Sequence, residues 1–349
     1  MKLANRFERI ALHDDWEQLD PDADDFLPAD KIQTEYFDDQ SESIVSQNNS
    51  PDINFDYSAN PYRGCAHGCS YCYARPSHEY LGLNAGLDFE SKILVKKDAA
   101  KLLRKWLRRK SWAAMVQPIM LSGVTDPYQP CERQFKLTQQ CLEVCLEMRQ
   151  PVRVITKNSL IRRDVDLLAE LAAMNLTYVT ISLTSLDQSL VRVMEPRTSS
   201  PAARLDAIGK LSQAGVPVCV LTAPIIPGLN DEEIPKLLEA VADAGARSTG
   251  YTILRLPLSV EPVFIDWLEN HFPDRKDKIL DRVRTMRDGK LYNSNFATRM
   301  KGSGIWADQI RQLHQTFATK HGLVPMDPRL NCDLFRATQA DGKSQQSLF

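Results

Sequence analysis

The chain reads as an α/β protein whose parallel sheet is covered by helices, and three observations predict this. Over roughly 118–258, short runs rich in β-branched residues alternate with longer segments whose apolar residues recur at helical spacing. The short runs are almost continuously apolar, as strands buried on both faces are. Each is followed by a helix with its own start or stop signal, the pattern of parallel strands joined by helical crossovers.

In order along the chain, INFDYSANPY after Pro51 alternates apolar and polar residues, so INFDY (53–57) is expected to be the first strand. PIMLSG (118–123) is the second; the helix after it, over about 132–149, brings Leu137, Cys141, Val144, Cys145 and Met148 to one face. VRVIT (152–156) precedes the helix DVDLLAELAAM, and YVTISLT (178–184) precedes PAARLDAIGKLSQAG, with Pro201 inside its start and Gly215 at its end. VPVCVLTAPI (216–225) leads to NDEEIPKLLEAVADAG, capped by Asn230 or Asp231 and stopped by Gly245. GYTILRLPL (250–258) leads to an amphipathic stretch ending near Arg287. Six strands fall short of a closed eight-stranded barrel, which leaves an open doubly wound sheet or an incomplete barrel. In both, a ligand lies at the carboxyl ends of the strands. Three parts are expected: an acidic, largely irregular extension over 1–42, the strand-rich core over 43–290, and a loop, helix and polar tail over 291–349.

At 349 residues and 43% hydrophobic content the chain can bury a sizeable core. MKLANRFERIAL is broken by charges every few positions, and no run approaches the ~18 apolar residues of a membrane span. Neither secretion nor membrane insertion is read, and a cytoplasmic protein is expected. Eight unevenly spread cysteines are too few for a disulfide framework, so a tight cluster points to metal or redox chemistry. The net charge of −2 conceals polarity: DDWEQLDPDADD (14–25) and YFDDQSE (36–42) are acidic, whereas KKDAAKLLRKWLRRK (96–110) is basic.

YRGCAHGCSYCYARP (62–76) spaces Cys65, Cys69 and Cys72 as C-x3-C-x2-C. Structural zinc needs four ligands; His67 lies inside the loop, but so short a segment could hardly wrap four ligands tetrahedrally, and no second CxxC exists. Cys141 and Cys145, one turn apart on an apolar helix face, read as core packing. Three thiolates can hold three corners of a [4Fe-4S] cubane and leave its fourth iron free.

That spacing, with the aromatic Tyr71 before the third cysteine at the end of the first strand of an incomplete βα barrel, resembles the radical S-adenosylmethionine (SAM) superfamily. The run SPDINFDYSANPYRGCAHGCSYCYARP, followed by SGVTDPYQPCE, ITKNSLIRRD, ISLTSLD, MEPRTSSPAARL and PIIPGLND, is similar to bacterial proteins grouped with spore photoproduct lyase and often labelled DNA repair photolyases. The similarity extends over roughly 43–300. It implies an incomplete (β/α)6 barrel, a [4Fe-4S] cluster on Cys65, Cys69 and Cys72, and SAM chelated through its amino and carboxylate groups at the free iron. SAM would be cleaved reductively to methionine and a 5'-deoxyadenosyl radical that abstracts hydrogen from substrate. The resemblance also implies a reducing partner such as flavodoxin or ferredoxin, and lyase-like action on a DNA lesion. The same radical chemistry on a peptide or small metabolite, and a non-catalytic iron–sulfur or zinc protein, are the alternatives.

The resemblance assigns further residues. Where the superfamily has a Gly-Gly-Glu-like segment, this chain has Ser122-Gly123-Val124-Thr125-Asp126-Pro127, so the Gly123 backbone with Thr125 or Asp126 is expected to take the methionine amino group. The same stretch reads equally as a Pro-bounded turn. Ser182 and Thr184 alternate on a strand and face one side, toward ribose or carboxylate, or simply fill the barrel interior. Lys157, Asn158 and Arg197 are candidates for the carboxylate and Glu195 for the ammonium, while Ile226, Pro227 and Tyr71 are candidates for adenine. Cys131, after TDPYQP, is a candidate hydrogen donor, the role a cysteine plays in spore photoproduct lyase, or a small residue starting a helix. Lys97, Lys101, Arg104, Lys105, Arg108 and Arg109 form a basic helix face that could follow DNA or be neutralised by the acidic N-terminal segment. A monomer is expected.

Overall fold

Twelve strands organise the residues described by this computed structural model, which are 11–12, 33–325 and 329–337. They are β1 (Ala11–Leu12), β2 (Glu35–Asp38), β3 (Val45–Gln47), β4 (Tyr57–Ala59), β5 (Tyr62–Arg63), β6 (Lys92–Val95), β7 (Ile119–Leu121), β8 (Val152–Thr156), β9 (Thr177–Ser182), β10 (Val218–Ile225), β11 (Ser248–Ile253) and β12 (Val324–Pro325). Eight of them form one open sheet in the order β12-β11-β10-β9-β8-β7-β4-β3. Every pairing from β4 to β12 is parallel, and β3 adds an antiparallel edge. Five of the six central strands fall where the sequence places them and the first is shifted, and the sheet is an incomplete (β/α)6 barrel.

The burial that produces this order is visible strand by strand. All six residues of β9 and all three of β7 are buried, so these strands gain apolar contacts from the barrel interior and from the helices outside. The crossover helices start and stop where their caps dictate. In Pro201–Gln213 the Ser200 hydroxyl accepts from the Ala203 amide at 3.2 Å, and the proline needs no hydrogen bond in the first turn. Ile234–Asp243 ends before Gly245, whose φ of 101° suits only glycine.

Four local expectations are corrected. The first barrel strand is Tyr57–Ala59 rather than 53–57, because the preceding residues form a turn with other commitments: Asn48 donates to the Phe55 carbonyl at 2.9 Å, and Arg299 takes the Asp52 carboxylate. The helix over 132–149 is two helices, Glu132–Phe135 and Leu137–Met148, broken at Lys136 by a φ of 51°. The basic helix is Ala99–Leu107 alone, and Lys110–Ala113 is a separate turn.

The last correction concerns the N-terminal extension, which is not irregular throughout. β2 lies in a second sheet, β1-β2-β6-β5, parallel to β6. Asp39, just beyond it, pairs with buried Lys96 and with Arg63 at 2.8 Å. The rest of 1–32 lies outside the described residues. Opposite ends of the open sheet are tied by Arg299, which holds Asp52 with two guanidinium nitrogens across 247 residues of sequence.

Candidate active site

β5 delivers the chain into the cysteine loop beside the carboxyl end of β4, and two glycines set its path. Gly64 has a φ of 80°, and a Cβ there would sit 2.7 Å from the His78 ring. Gly68 has a φ of 68°, and a Cβ would meet the Glu90 carboxylate at 2.2 Å and Arg197 Nη2 at 2.9 Å. The loop is held mostly through its backbone. The Cys65 amide donates to the Phe89 carbonyl at 2.9 Å, the Ala66 amide to Gln129 at 2.9 Å and the Ser70 amide to Met194 at 3.0 Å.

Two buried guanidiniums grip the same loop. Arg75, 2% exposed, donates to the carbonyls of Gly68, Cys69, Ala85 and Gly86 at 2.8–3.2 Å. Arg197 donates to the Ala66 carbonyl and reaches Glu90 at 3.1 Å, while its own amide donates to the His67 carbonyl at 3.2 Å. Its Nη1 is buried without a hydrogen-bond acceptor among the described residues.

The three thiols are free of disulfides, with Cys65 and Cys69 buried and Cys72 half-buried. Burial raises all three above the ordinary thiol value, so thiolates here require metal charge to stabilise them. Among the described residues no three Cys, His, Asp or Glu side chains converge on one ion position, as tetrahedral zinc would demand. In a cubane each thiolate binds a different iron, so convergence is not required. His67 is committed elsewhere: Nδ1 faces Asp126 at 3.4 Å and Nε2 faces the Asn158 amide at 3.2 Å. Burial depresses the imidazole to about 4 and keeps it neutral. The chain's donor set therefore fits a three-cysteine cluster with a spare buried N–H beside it.

At the centre of the barrel lies Glu195, with no exposed surface. Burial alone would raise its carboxyl, but Arg204 and Lys157, helped by Thr184 and Tyr71, outweigh burial and hold it well below the carboxylate range. Arg204 also donates to the Ser199 carbonyl at 2.9 Å and the Ser182 carbonyl at 3.0 Å. Lys157 reaches Glu195 at 3.5 Å and the Ala223 carbonyl at 3.2 Å, above the Tyr71 ring. Asp126, facing His67 and the Lys157 amide, is a second carboxylate beside these two cations, so the formal charges of the centre balance.

The structure thus brings Tyr71, Lys157, Thr184 and Glu195 together but spends several of them internally. Glu195 is saturated by protein donors and offers no free face to an ammonium. Asp126 accepts from the Tyr128 amide (2.9 Å), the Thr156 hydroxyl (2.7 Å) and the Lys157 amide (2.9 Å), so it ties the loops after β7 and β8. Thr125 donates to the Gly64 carbonyl, and the Gly123 carbonyl accepts from Tyr73 at 2.7 Å. Ser182 ends β9 at 5% exposure. Ile226 is fully buried in an apolar cluster with Cys69, Tyr71, Met194 and Leu254, so it packs a wall rather than presenting a free face. Arg197 serves the cysteine loop rather than the barrel centre.

Cys131, the candidate hydrogen donor, is 1% exposed and lies in the main apolar core with Tyr62, Ala66 and Tyr128, as a small residue starting a helix would. The basic face is partly neutralised, Lys97 by Asp38 at 2.7 Å and Arg104 by Glu147. Its C-terminal half lies level with Tyr57, whose ring meets Trp106 and Trp112 at the amino end of the first barrel strand. Arg204, Arg75 and Glu90 had not been singled out by sequence. The two arginines lie within quoted motifs, but Glu90 carries no local signal.

The Radical SAM superfamily profile matches residues 59–241. The chain belongs to the radical SAM superfamily. An uncharacterised protein of Mycobacterium tuberculosis is 39% identical over 230 residues, or 65% of this chain, and the match spans 66% of that relative's length. A radical SAM Nα-GlyT isomerase of Pseudomonas phage M6 is 24% identical over 263 residues, covering 74% of this chain and 52% of the phage protein. Among solved structures, spore photoproduct lyase complexed with dinucleoside spore photoproduct aligns with a TM-score of 0.57 at 18% identity, over 79% of this chain and 78% of the lyase. That likeness establishes a shared fold. Superfamily membership implies a [4Fe-4S] cluster and SAM.

Proposed function

We propose that this radical SAM protein is an enzyme that holds a [4Fe-4S] cluster on Cys65, Cys69 and Cys72 and abstracts hydrogen from a nucleic-acid substrate. The observation that carries the reading is the gathering of three disulfide-free thiols on one short loop at the barrel mouth, beside the buried centre of Glu195, Lys157 and Arg204. A cluster and SAM supply, when bound, one-electron cleavage of the sulfonium and hydrogen-atom abstraction. Everything else falls to the chain. Lys157, its side chain 15% exposed, is the cation proposed for a carboxylate, with Arg204 sharing the Glu195 charge that Lys157 also meets at 3.5 Å. Ser182 is the hydroxyl proposed for ribose, while Thr125 and Asp126 position the loop that presents the Gly123 backbone. Tyr71, Met194, Ile226 and Leu254 wall the centre from water.

The outer rim supports a nucleic-acid substrate. Tyr73, next to Cys72, is 53% exposed and has the Arg255 guanidinium 5.7 Å from its ring. Val124 (40% exposed) and Leu258 (72% exposed) add apolar surface. Aromatic and guanidinium faces of this kind stack bases while the charge meets phosphate. Lys101, Lys105, Arg108 and Arg109 add exposed charge on the flank. An external one-electron reductant, a cytoplasmic setting and a monomeric state complete the proposal.

The test is anaerobic reconstitution followed by reduction with dithionite in the presence of SAM. The expected result is 5'-deoxyadenosine whose yield rises with lesion-bearing DNA but not with a random peptide, and DNA affinity that falls steeply with salt. A loaded protein that makes no 5'-deoxyadenosine would refute the enzyme, and stimulation by peptide alone would refute the substrate class.

A further inference from the structure

The cysteine loop rests on a buried Arg75–Glu90–Arg197 triad in which one carboxylate lies between two guanidiniums. Arg75 Nη2 is 3.6 Å and Arg197 Nη2 is 3.1 Å from Glu90 Oε2. All three side chains are largely buried, at 2%, 15% and 12% exposure for Arg75, Glu90 and Arg197. Burial pushes the Glu90 carboxyl upward against the pull of both arginines, so the triad carries at least one net positive charge. Arg75 donates to the Cys69 carbonyl at 3.0 and 3.1 Å and Arg197 to the Ala66 carbonyl, so both cations are fixed against the loop that carries the three thiols.

Most donors of these guanidiniums are spent on carbonyls and on Glu90, which fixes where the charge sits. One is not: Arg197 Nη1 is buried with no acceptor among the described residues. An unsatisfied buried N–H on a cation is costly, and an acceptor at the sulfurs would remove that cost. The close packing at Gly68 leaves the guanidinium little room to turn away, since even a methyl group there would collide with both Glu90 and Arg197.

We infer that the Arg75–Glu90–Arg197 triad sets the reduction potential of the cluster held by Cys65, Cys69 and Cys72, with Arg197 Nη1 as a donor to its sulfur. This rests on the proposal that the loop binds such a cluster. Net charge nearby and hydrogen bonds to sulfur are the protein's main means of moving a cluster potential. Reduction adds one electron, supplied by a low-potential donor, to a group already bearing three thiolates. A fixed positive charge favours that reduced state. Arg197 and Arg75 therefore raise the potential and Glu90 lowers it.

The opposite signs make the test. Wild-type protein, Arg197→Gln, Arg197→Lys and Glu90→Gln are reconstituted anaerobically and assayed for iron and sulfide. The midpoint potential of each is then measured by mediated redox titration with EPR detection. Arg197→Gln is expected to lower the reduced-to-oxidised ratio at fixed poise about tenfold, equivalent to ~59 mV for one electron. Arg197→Lys recovers part of that shift, and Glu90→Gln moves the potential the other way. Loaded variants with the wild-type potential, or with shifts of the same sign in Arg197→Gln and Glu90→Gln, would overturn the inference. If Arg197→Gln takes up no iron, the sign of the Glu90→Gln shift decides. A wild-type protein that takes up no cluster overturns the functional proposal instead.

Discussion

Replacing Arg204 by methionine tests the electrostatics of the barrel centre. In the native chain both Arg204 and Glu195 have 0% side-chain exposure, and their mutual attraction offsets the desolvation of two charges. Arg204→Met strands Glu195 with Lys157 alone, 3.5 Å away, and leaves the carbonyls of Ser182 and Ser199 without their donor. Breaking a buried pair from one side costs about 3–5 kcal/mol. Retention of Lys157 argues for the lower end and the orphaned carbonyls add about 1 kcal/mol, so a loss near 4 kcal/mol is expected. For a chain of this size that lowers the melting temperature by roughly 5 °C.

The pH dependence has a defined sign. Native Glu195 titrates below its unfolded value of about 4.3, so its contribution is present above that pH and is lost as pH falls through the folded value. In Arg204→Met burial dominates, the folded carboxyl titrates above the unfolded one, and acid relieves the variant. The stability gap is therefore widest near about pH 7–8 and narrows toward about pH 4–5. Urea unfolding of the wild type, Arg204→Met, Glu195→Gln and the double variant across that range measures it. A loss under about 1 kcal/mol, or a double variant no more stable than Arg204→Met, would refute the argument.

Four further outcomes are expected. Alanine at Cys65, Cys69 or Cys72 singly abolishes the visible absorbance of the reconstituted protein and its 5'-deoxyadenosine production, which spectroscopy and chromatography would read directly. Cys131→Ala lowers stability by about 1 kcal/mol through lost packing but leaves 5'-deoxyadenosine formation intact; loss of substrate turnover with normal folding would identify it as a donor. Gly68→Ala forces a left-handed residue to carry a Cβ against Glu90 and Arg197, so iron uptake per chain should fall even where circular dichroism is unchanged. Asp39→Ala strands Lys96 in a buried position and should cost about 3 kcal/mol in urea unfolding, with faster proteolysis near β2.

The sheet and the cysteine loop were legible because their signals are local. Continuous apolar runs separated by capped helices specify parallel strands, and C-x3-C-x2-C lies within eight residues. What the sequence hid depends on partners far along the chain. INFDY looked like a strand because nothing nearby shows that Arg299 claims Asp52 just before it. The strand at Glu35–Asp38 was masked by its acidic surroundings, since its neighbour β6 and the partner of Asp39, Lys96, lie dozens of residues away. Glu195 and Asp126 carried the right chemistry for an ammonium, but their internal hydrogen bonds emerge only in the folded barrel. Thr184 and Glu195 converge as expected, yet they converge on each other.

The open sheet has a consequence for scale. Its edge strands β3 and β12 pair with no further strand among the described residues, so the circle stays open, and an ion pair between the loop residues Asp52 and Arg299 links its two sides. A closed cylinder admits only molecules narrower than its bore. A cylinder missing part of its wall can meet a molecule much longer than itself from the side, so the length of a reactant need not be limited by the width of the barrel, and bringing a polymer to the cysteine loop would not require threading its end.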